Sequence, residues 1–135
     1  MPVDTRLIEC DVAVIGGSLG GVAAALAALE SGLKVSLTEE SGWIGGQVTS
    51  QAVSAQDENP WVEQCAGSER YAAFRQAIRR TYIETYHAPA QMPDGAPLNP
   101  GNGWVSRLCF EPQVGLAVLQ SMLQPYVETG QLSIF

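Results

Sequence analysis

Residues 11–21, DVAVIGGSLGG, decide the fold because a strand pattern changes there abruptly into the start of a helix. The β-branched run that ends at Ile15 is typical of a buried strand in a parallel sheet. Residues 20–31, GGVAAALAALES, are rich in Ala and Leu and predict a helix that Gly32 ends. Residues 34–38, KVSLT, predict a second strand, so the segment forms a βαβ unit.

The glycine turn between the first strand and the helix carries a pattern that suits a dinucleotide. Such a turn needs one glycine for the tight bend, a second where the backbone approaches the pyrophosphate, and a third where helix and strand pack closely. Gly16 and Gly21 occupy the first and third positions, whereas Ser18 stands in the second. A serine is small, and its hydroxyl can donate to a phosphate oxygen while the N–H groups at the helix start bind the anion.

Residues farther along the chain complete this pattern. Ala25 is small enough to let the helix lie against the sheet, and Gly32 stands at the turn before the second strand. Glu39 follows that strand, where a carboxylate can accept hydrogen bonds from ribose hydroxyls. The sequence therefore favours a nucleotide site, with a glycine turn that binds nothing as the alternative.

The whole pattern predicts an α/β fold: a Rossmann-like βαβ unit with a small parallel sheet of about three strands and helices packed on it. We expect residues 1–135 to form a single, truncated dinucleotide-binding domain with a helix-and-loop insertion at about 41–110. Within the insertion, residues 69–86 predict an amphipathic helix whose arginines form a solvated face. Residues 112–128 predict another helix, and residues 131–135 a third strand. In the insertion's last loop, we expect Trp104 to pack against the loop.

The amino-acid composition argues against some classes of binding partner. The net charge is −7 and the basic residues are not clustered, which argues against nucleic acid and against an anionic membrane surface. The amino terminus lacks the apolar run of a signal peptide, and three cysteines are too few for a disulfide framework or a metal site. We therefore expect a soluble, cytoplasmic protein that holds no metal.

The extended pattern resembles the amino-terminal FAD-binding motif of a known family, the FAD-dependent oxidoreductases of the glutathione-reductase-like two-dinucleotide-fold group. The residues that carry this resemblance are Gly16, Ser18, Gly21, Ala25, Gly32 and Glu39. The double glycine in ESGWIGGQ and the stretches TSQAV and NPGNGWVSRLCFEP are similar to a bacterial subgroup described as FAD-dependent oxidoreductases. The resemblance covers most of the chain.

The resemblance implies FAD as the cofactor and a small-molecule substrate whose identity it does not specify. The residues that it assigns to the cofactor are Gly16, Gly17, Ser18, Leu19 and Gly20 at the pyrophosphate, Glu39 at the adenosine ribose, Glu40 toward the adenine end, and Gly45, Gly46 and Gln47 toward the pyrophosphate and ribityl side. It assigns no catalytic residue. Because family members are longer, the resemblance implies an amino-terminal FAD-binding portion that is inactive alone.

Two alternatives stay open. The first is an NAD-binding module, because Glu39 also suits the ribose of NAD. The second is a non-catalytic fragment that forms a homo-oligomer through an open sheet edge, because an unpaired strand invites pairing with another chain.

Overall fold

The computed structural model describes residues 7–135 except 54, 57, 60 and 66. The strands are β1 (Val12–Ile15), β2 (Val35–Thr38) and β3 (Leu132–Ile134), and the helices are α1 (Leu19–Glu30), α2 (Val62–Cys65), α3 (Glu69–Tyr86) and α4 (Pro112–Glu128), with a 3₁₀ turn at Gly46–Val48. The predicted α/β fold with a three-stranded parallel sheet and helices packed on it is confirmed.

The strands form one parallel sheet in the order β1-β2-β3, with β2 at its centre. Val14 of β1 is paired with Leu37 of β2 and lies beneath α1, where it faces the backbone of Gly21. Side chains alternate between the two faces of a strand, so the next residue, Ile15, points away from α1. Ile15 is 81% exposed. The described helices therefore leave the side chain at this end of β1 uncovered.

The core lies between the sheet and the helices α1, α3 and α4. The predicted apolar stripes of α3 and α4 supply most of its helical side chains, and their buried members are Phe74, Ile78, Tyr82, Val114, Val118, Leu119 and Leu123. Tyr86 and Val127 follow the same spacing but are exposed. Both lie in the last turn of their helix, where the stripe extends past its buried part.

Arg75 of α3 is buried and Arg79 is half-buried, so the prediction that the arginines of this helix form a solvated face is wrong for both. Arg75 is 2% exposed and donates to the carboxylates of Glu58 and Glu63. Arg79 donates to Glu63 at 2.6 Å and, through Nε, to the carbonyl oxygen of Leu98 at 2.8 Å. Each arginine directly follows a core residue of α3, so both lie beside the buried stripe and meet the loops that cover it.

Tyr71 and Ser106 complete this polar cluster. Burial raises the pKa of the Tyr71 phenol, and its hydrogen bond to Glu58 raises it further. The phenol therefore stays protonated and donates to the Glu58 carboxylate. Ser106 donates to the same carboxylate at 3.3 Å, from a loop distant in sequence. The cluster thus holds the segment around Glu58 and the loop around Ser106 against α3.

We expect Arg75→Met to destabilise the fold by about 3–5 kcal/mol, because it leaves the largely buried Glu58 and Glu63 carboxylates without their main partner. Urea unfolding followed by far-UV circular dichroism measures this loss. Arg70→Met is the matched control on the same helix: it removes the exposed ion pair with Glu30, which water already screens, so the unfolding midpoint should barely move. Equal losses in the two variants would contradict the buried cluster's role.

Candidate functional site

The turn between β1 and α1 is built from backbone. Gly16 adopts a φ of +98°, which L side chains rarely adopt, and its N–H donates to Thr38 Oγ1 at the end of β2 at 3.2 Å. Ser18 then caps α1, because its side-chain oxygen accepts a hydrogen bond from the Gly21 N–H at 3.2 Å. The strand therefore passes into the helix with the first N–H groups of α1 at the carboxyl edge of the sheet.

The three positions of the glycine pattern differ in what the fold demands. A Cβ at Gly21 would collide with the carbonyl oxygen of Gly16. Close packing of helix on strand therefore requires glycine at position 21. Ser18 has a φ of −57°, which any L residue adopts. The second position accordingly accepts a serine without backbone strain, and the serine adds a helix cap that a glycine would lack.

Glu39 lies at the same edge of the sheet, directly after β2, and contacts the glycine turn. Its Oε2 accepts a hydrogen bond from the Gly17 N–H at 3.0 Å. Its Oε1 accepts from the Ser41 hydroxyl at 2.6 Å and from the Ser41 N–H at 2.9 Å. All of these hydrogen bonds lower the pKa of the Glu39 carboxyl, and the bond from the Ser41 hydroxyl has the largest effect. The turn therefore has a fixed, ionised carboxylate beside it.

The double glycine packs on the other side of the turn. The Gly45 N–H donates to the carbonyl oxygen of Gly17 at 2.6 Å, and Gly45 has a φ of +110°. A Cβ there would lie 2.7 Å from Thr49 and from Leu119 of α4. A Cβ at Gly46 would lie 3.2 Å from the Ser18 Cα. Glycine at position 46 thus lets this loop lie directly against the turn, and glycine at position 45 lets it pack against Thr49 and α4.

The structure brings most of the predicted cofactor residues together. Gly17 lies between Glu39 and Gly45, and Gly46 contacts Ser18, so the turn, the acid and the double glycine form one surface. Glu40 and Gln47, at the flanks, are both exposed. Residues at the site that the sequence analysis missed are Thr38, Ser41 and Thr49.

The backbone of the turn can accept an anion. Ser18 and Gly20 are exposed, and among the described residues their N–H groups donate no hydrogen bond. The first turn of α1 carries no acidic side chain, so the positive end of its dipole is not neutralised from within the helix. A Cβ at Gly17 would lie 2.8 Å from Glu39 Oε2, so only glycine leaves this backbone open beside the acid. These residues fit the ADP part of a dinucleotide.

Other chemistry-bearing features are few in the described part of the chain. There, no helix is both long and apolar enough to cross a membrane. No group of three His, Cys, Asp or Glu side chains among the same residues could hold a metal ion. All three cysteines are free thiols, and the only histidine, His87, caps the carboxyl end of α3.

A family model described as FAD dependent oxidoreductase matches residues 11–133 of the chain. The match runs from the residue before β1 to the middle of β3, so it contains the glycine turn, Glu39 and the double glycine. No curated protein matches the chain.

We expect Gly21→Ala to destabilise the fold by at least ~1–3 kcal/mol, because its Cβ would force α1 away from β1 at the Gly16 carbonyl. The matched control is Gly20→Ala, one residue earlier on the same helix. Its Cβ would meet only the Ser18 Oγ, at 3.8 Å, so stability should be kept or slightly raised by the better helix propensity of Ala. Urea unfolding compares the two, and a Gly21→Ala protein as stable as wild type would contradict the close packing.

Proposed function

The chain belongs to the FAD-dependent oxidoreductase family, whose cofactor is FAD, and on this basis we propose that its glycine turn binds the ADP part of FAD. The observation that carries the proposal is the exposed amino terminus of α1 with an ionised Glu39 fixed beside it through the Gly17 N–H. In this proposal the chain is the amino-terminal FAD-binding portion of a flavin-dependent oxidoreductase.

The pyrophosphate is assigned to the residues from Gly16 to Gly20. The N–H groups of Ser18 and Gly20 and the positive end of the α1 dipole attract its negative charge. The Ser18 oxygen already accepts a hydrogen bond from Gly21, so its own proton is free to be directed to a phosphate oxygen. Ser18 therefore takes over a glycine position and offers one further donor.

The adenosine ribose is assigned to Glu39. A lowered pKa keeps this carboxylate ionised at neutral pH. An ionised carboxylate can accept hydrogen bonds from the two neighbouring hydroxyl groups of a ribose. Glu40 places a second acid at the adenine end. Two adjacent acids repel a 2′-phosphate, so the site favours FAD or NAD over NADP.

The double glycine and Gln47 are assigned to the pyrophosphate and ribityl side. Gly45 and Gly46 support the turn through backbone contacts, and the exposed Gln47 follows them directly. When bound, the flavin supplies the hydride or electron chemistry of the family. The contribution of this chain is to hold the cofactor's ADP half in a fixed position at the carboxyl edge of the sheet.

We expect the purified chain to bind FAD, and ADP to compete with it, as calorimetry and the quenching of flavin fluorescence would show. Glu39→Ala should weaken FAD binding about tenfold or more, because a hydrogen bond to a charged group contributes ~1.5–3 kcal/mol. Ser18→Gly restores the usual glycine and should bind nearly as wild type does.

Glu84→Ala is the matched control, since it removes an exposed carboxylate of α3, remote from the turn in sequence, and should leave FAD affinity unchanged. A chain that ignores both FAD and ADP would refute the proposal. Tighter binding of NAD than of FAD would instead favour the NAD-binding alternative.

One observation favours the second alternative, self-association through the sheet. β1 stands at the end of the strand order, and its Ile15 is 81% exposed. An exposed edge strand with an apolar side chain is a template for pairing with another copy. Size-exclusion chromatography with light scattering tests this: a dimer that Ile15→Lys converts to a monomer supports it, and a wild-type monomer rules it out.

A further inference from the structure

The structure contains a large cleft that shares no residue with the glycine turn. It is an open cleft of ≈ 990 Å³ between residues 58, 59 and 61–64, which include most of α2, and residues 92–107 of the loop before α4. Pockets for small molecules have volumes of about 300–1,000 Å³, so the cleft is large enough for one. The cleft lies within the residues that the family model matches, but the proposed FAD site does not use it.

Two exposed tryptophans line the cleft, one from each of its two segments. Trp61 is 65% exposed and Trp104 is 95% exposed. The prediction that Trp104 packs against its loop is therefore wrong. An exposed indole adds almost no burial to the fold, and tryptophan is enriched where a protein binds a partner or ligand. Both rings are thus available to a molecule in the cleft.

The two segments are held in place by the buried cluster on α3. Arg75 and Arg79 bind Glu63 in one segment, and Arg79 also donates to the Leu98 carbonyl in the other. Ser106, in the second segment, donates to Glu58 in the first. Because these bonds join the two segments to α3 and to each other, the walls of the cleft are positioned before a ligand arrives, which lowers the entropic cost of binding.

The described residues of the cleft carry no strong net charge. Glu58 and Glu63 are neutralised by Arg75 and Arg79. Asp94 and Arg107, which also line the cleft, carry opposite charges. A site for an anion or a cation needs an excess of the opposite sign, which these residues do not supply.

We propose that this cleft binds a neutral carbohydrate. A sugar ring has a face of C–H groups that stacks on the electron-rich face of an indole, and hydroxyl groups around its rim. Trp61 and Trp104 supply the indoles, and Asn102, Gln64 and Asp94 line the same cleft with amide and carboxylate groups that bind hydroxyls. The assignment does not depend on FAD binding by the glycine turn.

The test is titration of the full chain with maltose, cellobiose and lactose, and with choline chloride as a probe for a cation site. At least one of the sugars should bind saturably and change the tryptophan emission. Trp104→Ala should weaken that binding about tenfold in calorimetry, the effect of losing one aromatic anchor of ~1.4 kcal/mol, and Trp61→Ala should weaken it similarly. Both side chains are exposed, so neither change should prevent folding.

Tyr86→Ala is the matched control, because it removes an exposed aromatic ring of α3 that does not line the cleft. It should leave sugar affinity unchanged. Saturable binding of choline without any sugar would overturn the assignment in favour of an aromatic cage for a cation. The assignment would also be overturned if no sugar binds, or if both tryptophan variants bind sugar as wild type does. A Trp104→Ala variant that changes the oligomeric state but not the sugar affinity would overturn it as well.

Discussion

The close contact between Gly21 and the carbonyl oxygen of Gly16 is the constraint on which the candidate site depends. Because no Cβ fits there, α1 begins directly against the end of β1 instead of one side chain's width away. This contact brings the first N–H groups of α1 to the carboxyl edge of the parallel sheet. β2 ends at that same edge, so its following residue, Glu39, reaches the Gly17 N–H without any long connection. The exposed helix start and the acid beside it thus follow from one steric requirement.

The serine in the glycine pattern is explained by the same geometry. The fold excludes a side chain at position 21, where a Cβ would collide with the Gly16 carbonyl, and crowds one at position 17 against Glu39. At position 18 the backbone has an ordinary conformation, and the side chain points to the start of α1 and caps it. The glycine positions of this pattern therefore meet different physical requirements, and only some of these requirements exclude every other residue. Ser18 occupies a position where the fold itself makes no demand for glycine.

Except for α2 and the 3₁₀ turn, the elements could be predicted from sequence because their signals are local. Strand and helix bounds follow from apolar spacing and from glycines at 16, 32 and 130, and the parallel sheet follows from the βαβ order. The burial of Arg75 could not be predicted, because its partners Glu58 and Glu63 lie in a segment with weak periodicity whose position depends on tertiary contacts. The exposure of Trp104 could not be predicted for the same reason. An aromatic residue in a long loop suggests packing, and only the path of the loop decides whether it has a surface to pack on.

The cluster around Arg75 and Arg79 does something that apolar side chains at the same positions could not do. Replacing a buried ion pair by well-packed apolar residues is often neutral or stabilising, so the cluster is weak evidence for a gain in free energy. Apolar contacts, however, are not directional, whereas each guanidinium bond fixes one acceptor in one orientation. Arg79 bonds both Glu63 and the Leu98 carbonyl, and so fixes the distance between two segments that have no secondary structure in common. A cleft whose walls are a loop and a segment with one short helix needs that kind of constraint, since without it the two indoles would have no defined separation.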